Sequence, residues 1–165
     1  DGRRELYHRE PRFRRPMSLT VEDLLEAPLI YGTAAFRREW FGRLGGFRAE
    51  FYNEDYDFWL RALMSGARHI YTPRPLALYR VRPGQKSGDE RRARGDDIRI
   101  LRDAIESGLL TVPQRTRAER TISLLERNVA FRARLERLLG PRLAQPFFRL
   151  AHALAWFVRP HRRAR

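Results

Sequence analysis

The chain has 165 residues, 42% of them hydrophobic, which is enough for one packed domain and too apolar for a disordered chain. It has no cysteine, which excludes disulfides, thiolate metal sites and cysteine nucleophiles. The formal charge is +14, but of the 34 basic residues only Lys86 is lysine, a skew that a GC-rich genome also produces, so the charge alone is weak support for phosphate recognition.

Residues 1–16, ending "REPRFRRP", read as an extended, Arg-rich loop. "SLTVEDLLEAP" offers Ser18 or Thr20 as an N-cap, acids in a first turn and a stop at Pro28, which predicts a short helix. "LIYGTAAF" is apolar and reads as a buried strand. "RREWFGRLGGF" predicts a short helix ended by Gly45 and Gly46, because glycine accepts the left-handed conformation of a helix C-cap. From Asn53 onward Tyr56, Trp59, Leu60 and Leu63 fall at helical spacing on one face, and Gly66 closes that helix.

"RHIYTPRPLALYRVR" suits short extended segments at a sheet edge, interrupted by Pro73 and Pro75, and "PGQKSG" is a flexible loop. "DERRARGDDIRILRDAIESG" returns to helix with a break expected near Gly95, and residues 116–139 form a longer Arg-rich helix ended by "GP". The last unit, "QPFFRLAHALAWFVRPHRRAR", reads as an apolar helix with a basic end. It is too short to span a bilayer, though it suits an interfacial position beside anionic headgroups as well as it suits packing on the core or a partner. No stretch has the pattern of a secretory signal, and the chain opens on Asp1 rather than Met, as a fragment or processed product would.

Charge is unevenly placed. Residues 17–66 hold five arginines against eight acids, a net of −3, whereas residues 109–165 hold thirteen against three, a net of +10. Within the acidic part, "YNEDYDFWLR" puts Glu54, Asp55 and Asp57 at the start of the predicted third helix. Asn53 is a favoured N-cap and first-turn acids suit the macrodipole, by about 0.3–1 kcal/mol each, so capping explains the cluster locally. A glycine pair and aromatic side chains before it also suit chemistry, since aromatic walls exclude water beside a carboxylate that acts as a base. Both readings stand at this level.

The ordered set of a small-residue strand, "RRE", "GGF", "ED", "DFWLR" and a later "YR" across residues 29–88 resembles the C-terminal half of the catalytic domain of family 2 glycosyltransferases. The resemblance implies an α/β chain: an incomplete GT-A, Rossmann-like domain over residues 1–110 that lacks its N-terminal nucleotide-binding half, followed by an α-helical tail over 111–165. It implies inverting transfer of a sugar from a nucleotide-sugar donor to a hydroxyl of a glycan or lipid-linked acceptor. Asp55 would be the general base, Glu54 would orient the acceptor or tune the base, and Gly45, Gly46 and Phe47 would shape the acceptor side.

Tyr79 and Arg80 match the family's "YR", and Arg82 stands where a histidine often follows, unsuited to a metal and suited either to a donor diphosphate or to a solvated basic loop. Arg48 stands where the family usually has Asp after "GGF". The complete enzyme would use Mg²⁺ or Mn²⁺ with ligands mostly outside this chain, and His8, His69, His152 and His161 form no ligand-spaced set. The expected consequence is no turnover by this chain alone, in a cytoplasmic setting with peripheral contact at the inner membrane face through the tail. The competing reading is a non-enzymatic basic module, nucleic-acid-binding or scaffolding. No recognisable nucleic-acid-binding motif is present, so no specific nucleic-acid partner is expected.

Overall fold

The computed structural model describes residues 18–72, 77, 85–86 and 89–140. These residues form five helices: α1 (Val21–Glu26), α2 (Arg38–Arg43), α3 (Glu54–Met64), α4 (Glu90–Glu106) and α5 (Val112–Leu139). There is no strand among the described residues, so the expected α/β fold and the incomplete GT-A domain are overturned. The segment expected to be a strand, residues 29–36, forms no strand. It instead makes a turn in which Ala34 N–H donates to Tyr31 C=O (3.0 Å), and it buries Ile30. An apolar run satisfies its burial in either way, and only a partner strand would satisfy its backbone as a ladder. Of the expected sheet-edge stretch, residues 67–72 are irregular; residues 73–76 and 78–84, like 1–17 and the apolar-basic unit 141–165, lie outside the described residues.

Local signals account for the helix ends. Thr20 caps α1 in a reciprocal box: its N–H donates to Asp23 Oδ2 at 2.8 Å and its Oγ1 accepts from Asp23 N–H at 3.4 Å. Ala27, extended before Pro28, stops the helix. At the end of α2, Gly46 N–H donates to Phe41 C=O (2.9 Å) and Gly45 N–H to Gly42 C=O (3.3 Å), the paired bonds of a Schellman turn. That turn needs the positive φ of Gly45 and Gly46, 71° and 78°. α4 runs unbroken through Gly95, because Ile98, Ile100, Leu101 and Ala104 anchor it on the core beyond the cost of one glycine. α5 begins four residues earlier than the pattern suggests, where Thr111 and Gln114 form a second capping box with Pro113 in the first turn.

Packing is of α3 against α1 and α4, and of α5 against α1 and α4. The common core holds Leu24 and Leu25 of α1, Tyr56, Phe58 and Leu60 of α3, Ile100 and Leu101 of α4, and Ala118 and Ile122 of α5. Tyr56, Trp59, Leu60 and Leu63 are all buried, as their spacing predicts. No helix among the described residues is long and apolar enough to cross a membrane.

Candidate functional site

The N-terminus of α3 is held from across the fold. Asn53 occupies the N-cap position, yet its side chain makes no capping bond. Its Nδ2 donates to Asp97 Oδ1 (2.7 Å) and to Ala93 C=O (3.1 Å), and its backbone N–H donates to Asp96 Oδ2 (2.7 Å). Asp96 and Asp97 are buried in the middle of α4, and each also accepts from an arginine of its own helix, Arg99 and Arg94. Burial raises the Asp97 carboxyl above its ordinary range, against the opposing pull of Asn53 and Arg94. Sequence reading passes over this pair, although "GDDIRIL" carries a signal. Asp97 lies at helical spacing from the buried Leu101 and Ala104, so it shares their inward face.

Asp57 is structural. Its side chain is 1% exposed and lies between two guanidiniums. Arg48 reaches Oδ2 through Nε (3.1 Å) and Oδ1 through Nη2, while Arg61 reaches Oδ2 through Nε (3.0 Å) and Nη2 (2.7 Å). Arg48 continues to Asp103 at 2.7 Å, so it ties the turn after α2 to both α3 and α4. Hydrogen bonding to Asp57 holds the Arg48 guanidinium even further above its already high value. Arg61 also donates to the carbonyls of Leu44 (2.7 Å) and Gly46 (2.8 Å), fixing the end of α2 on α3.

Glu54 and Asp55 occupy the rim of this assembly, half-buried. Glu54 pairs with Lys86, whose backbone carbonyl accepts from the Tyr52 hydroxyl and whose ammonium lies 4.9 Å from the Tyr52 ring. Asp55 Oδ1 accepts from the N–H of Tyr56 at 2.9 Å, and Oδ2 abuts Gly32, where an added Cβ would sit 3.6 Å away. Of Glu54, Asp55, Asp57, Asp96 and Asp97, Asp55 alone has no cationic partner among the described residues.

One turn along α3, Phe58 and Trp59 meet the chain that comes down from Gly32. Phe36 lies 5.0 Å from Phe58 and 5.2 Å from Trp59 between ring centroids. Phe47 lies 4.8 Å from Phe58 and 5.6 Å from Phe41. Phe36, Phe41 and Phe47 are exposed on their outer sides, so they form an aromatic ledge over a buried ring. Trp59 is core, and its Nε1 is buried without a hydrogen-bond partner among the described residues. Gly45 and Gly46 shape the α2 turn and bring Phe47 to the ledge, while Tyr79, Arg80 and Arg82 lie outside the described residues.

Comparison with known proteins returned no matching family model, no matching curated protein and no matching solved structure. With a wholly helical core and no family match, the resemblance to family 2 glycosyltransferases is corrected: short motifs in the right order did not carry the fold with them. The divalent cation implied by that resemblance also has no fitting donor set among the described residues. No three His, Asp or Glu side chains converge there, Glu54 is engaged by Lys86, and one oxygen of Asp55 by its own helix.

Proposed function

We propose that the edge formed by Gly32, Glu54, Asp55 and the Phe36–Phe41–Phe47 ledge is the acceptor side of a sugar-transfer site, with Asp55 as general base. The observation that carries this reading is Oδ2 of Asp55, which lies beside a glycine with no partner among the described residues, where the neighbouring acids are paired. Capping accounts for Oδ1, which accepts from the first-turn N–H of Tyr56, and leaves Oδ2, beside Gly32, for another role.

In the proposed step Asp55 takes the proton of an acceptor hydroxyl as its oxygen forms a bond to C1 of a nucleotide-activated sugar. The nucleoside diphosphate leaves from the opposite face with the bonding electrons, and the configuration at C1 inverts. A sugar hydroxyl is a weak nucleophile, and concerted proton removal contributes about 10²–10⁴ in rate. The exposed aromatic faces give an acceptor ring a flat apolar support, and the Glu54–Lys86 pair offers it hydrogen bonds of both kinds. The reaction belongs in the cytoplasm, where such donors are available, with the apolar-basic unit 143–165 serving peripheral contact at the inner membrane face.

The test is a titration of the ¹⁵N-labelled chain with a panel of neutral oligosaccharides, together with a transfer assay on the enzyme that contains this chain. The expected result is shifts confined to Gly32, Phe36, Phe47 and Asp55, and a fall in turnover of about 10² or more for Asp55→Asn at unchanged unfolding midpoint. Near-normal turnover of Asp55→Asn, or shifts spread elsewhere, returns the acids to a structural role.

A further inference from the structure

α5 has two faces. Ala118, Ile122 and Leu125 meet the core. On the outer face Leu124, Phe131 and Leu138 recur every seven residues and are 53%, 56% and 73% exposed. Seven residues are nearly two full turns, so these three side chains form one row, about 21 Å long at 1.5 Å per residue. A second row runs beside it at the same interval: Arg120, Arg127 and Arg134, all exposed and with no acidic partner among the described residues. The three acids of α5 lie off this face: Glu126 pairs with Arg102 of α4, Glu119 with Arg115, and Glu136, two residues on from Arg134, sits on the far side of the helix.

We propose that this outer face of α5 docks an acidic amphipathic helix of a partner protein. The apolar row fills one of the two positions of a heptad seam, which suits helix pairing better than a bilayer surface, where a helix presents a broad apolar face. Charge selects the occupant. A second copy of this chain would bring arginine row against arginine row in an antiparallel pair, and Arg127 against Arg132 in a parallel one. The chain's own residues 141–165 carry six arginines and no acid, so they too meet like charge. A helix with leucine-type residues along its seam and Glu or Asp beside them buries Leu124, Phe131 and Leu138 and neutralises all three arginines.

The test uses two fluorescein-labelled 21-residue helical peptides with Leu at the a and d positions of each heptad, one with Glu and the other with Lys at e and g. Anisotropy titrations against the full 165-residue chain should give at least ten-fold tighter binding of the Glu peptide, weakened several-fold by raising salt. The triple variant Arg120→Glu/Arg127→Glu/Arg134→Glu should reverse the preference, and Leu124→Ser/Phe131→Ser should weaken both, each variant keeping the circular dichroism of the parent. All these positions are exposed, and Arg134→Glu alone, expected to cost three-fold or more, serves if a multiple variant loses its fold. Equal binding of the two peptides, or none, overturns the proposal. So does co-sedimentation with phosphatidylglycerol vesicles that Leu124→Ser/Phe131→Ser abolishes while peptide binding is absent, or a dimer in light scattering that the same variant dissociates.

Discussion

Replacement of Asp57 by Asn tests the reading that this acid is the central tie of the fold. The substitution keeps the volume and removes the charge that two guanidiniums share, Arg48 and Arg61, whose side chains are 29% and 19% exposed. Breaking a buried ion pair from one side costs about 3–5 kcal/mol. Both arginines keep other partners: Arg48 retains Asp103, and Arg61 retains the carbonyls of Leu44 and Gly46. Their partial exposure lets water repair some of the loss as well, so the lower end applies, about 3 kcal/mol. Urea unfolding followed by circular dichroism reads this directly. With a slope of about 1.5 kcal/mol/M, typical of a small domain, the midpoint should fall by about 2 M at unchanged slope. Arg48→Ala should cost less, because Asp57 would still hold Arg61. A loss below about 1 kcal/mol for Asp57→Asn, the range of exposed pairs, would refute the assignment of Asp57 as a buried tie.

Gly46→Ala and Gly45→Ala should separate strain from crowding. Both force alanine to positive φ, at about 1–2 kcal/mol. Only at Gly46 would the new Cβ also meet the Phe41 ring, at 2.9 Å, so its unfolding midpoint should fall further, by about 1 kcal/mol or more in stability; equal losses would argue against a close Phe41 contact. Asp97→Asn addresses the raised carboxyl of Asp97. The fold holds that proton more tightly than the unfolded chain does, so the wild type should lose stability as pH rises through the folded value and be unpenalised below the ordinary value of 3.8. Asparagine keeps an acceptor for Asn53 and forfeits only the exposed Arg94 pair, so the variant should be the more stable at pH 7, with the gap closing in acid; a gap independent of pH would contradict this.

The helices were legible where their ends carried their own chemistry. Thr20 before "VED", the Gly45–Gly46 stop and the apolar spacing of Tyr56 to Leu63 act within a few residues, and sequence contains all that they need. The strand expected at residues 29–36 failed for the opposite reason. Its apolar content was read correctly, but strand formation depends on a distant partner, and here Ile30 is buried while Tyr31 and Phe36 stay exposed without a ladder. Asn53 looked like a cap and became a bridge to residues 43 and 44 positions away, a choice decided by the carboxylates of α4 rather than by local propensity. At the candidate site, the core position of Trp59 was visible from periodicity, whereas the tie that Asp57 makes to Arg48 depends on the fold. The distinction of Asp55 was not visible either, because it consists in what its neighbours are bonded to.

The grip of Arg61 has a dynamic consequence. One guanidinium holds two carbonyls of the α2 turn, those of Leu44 and Gly46, and also the buried acid of α3. The turn that carries Phe47 is therefore tied to α3 through Arg61, so the two are expected to open together. Aromatic surface fixed in this way is ordered before any ligand arrives, so binding there forgoes little conformational freedom and favours flat, rigid rings over flexible chains.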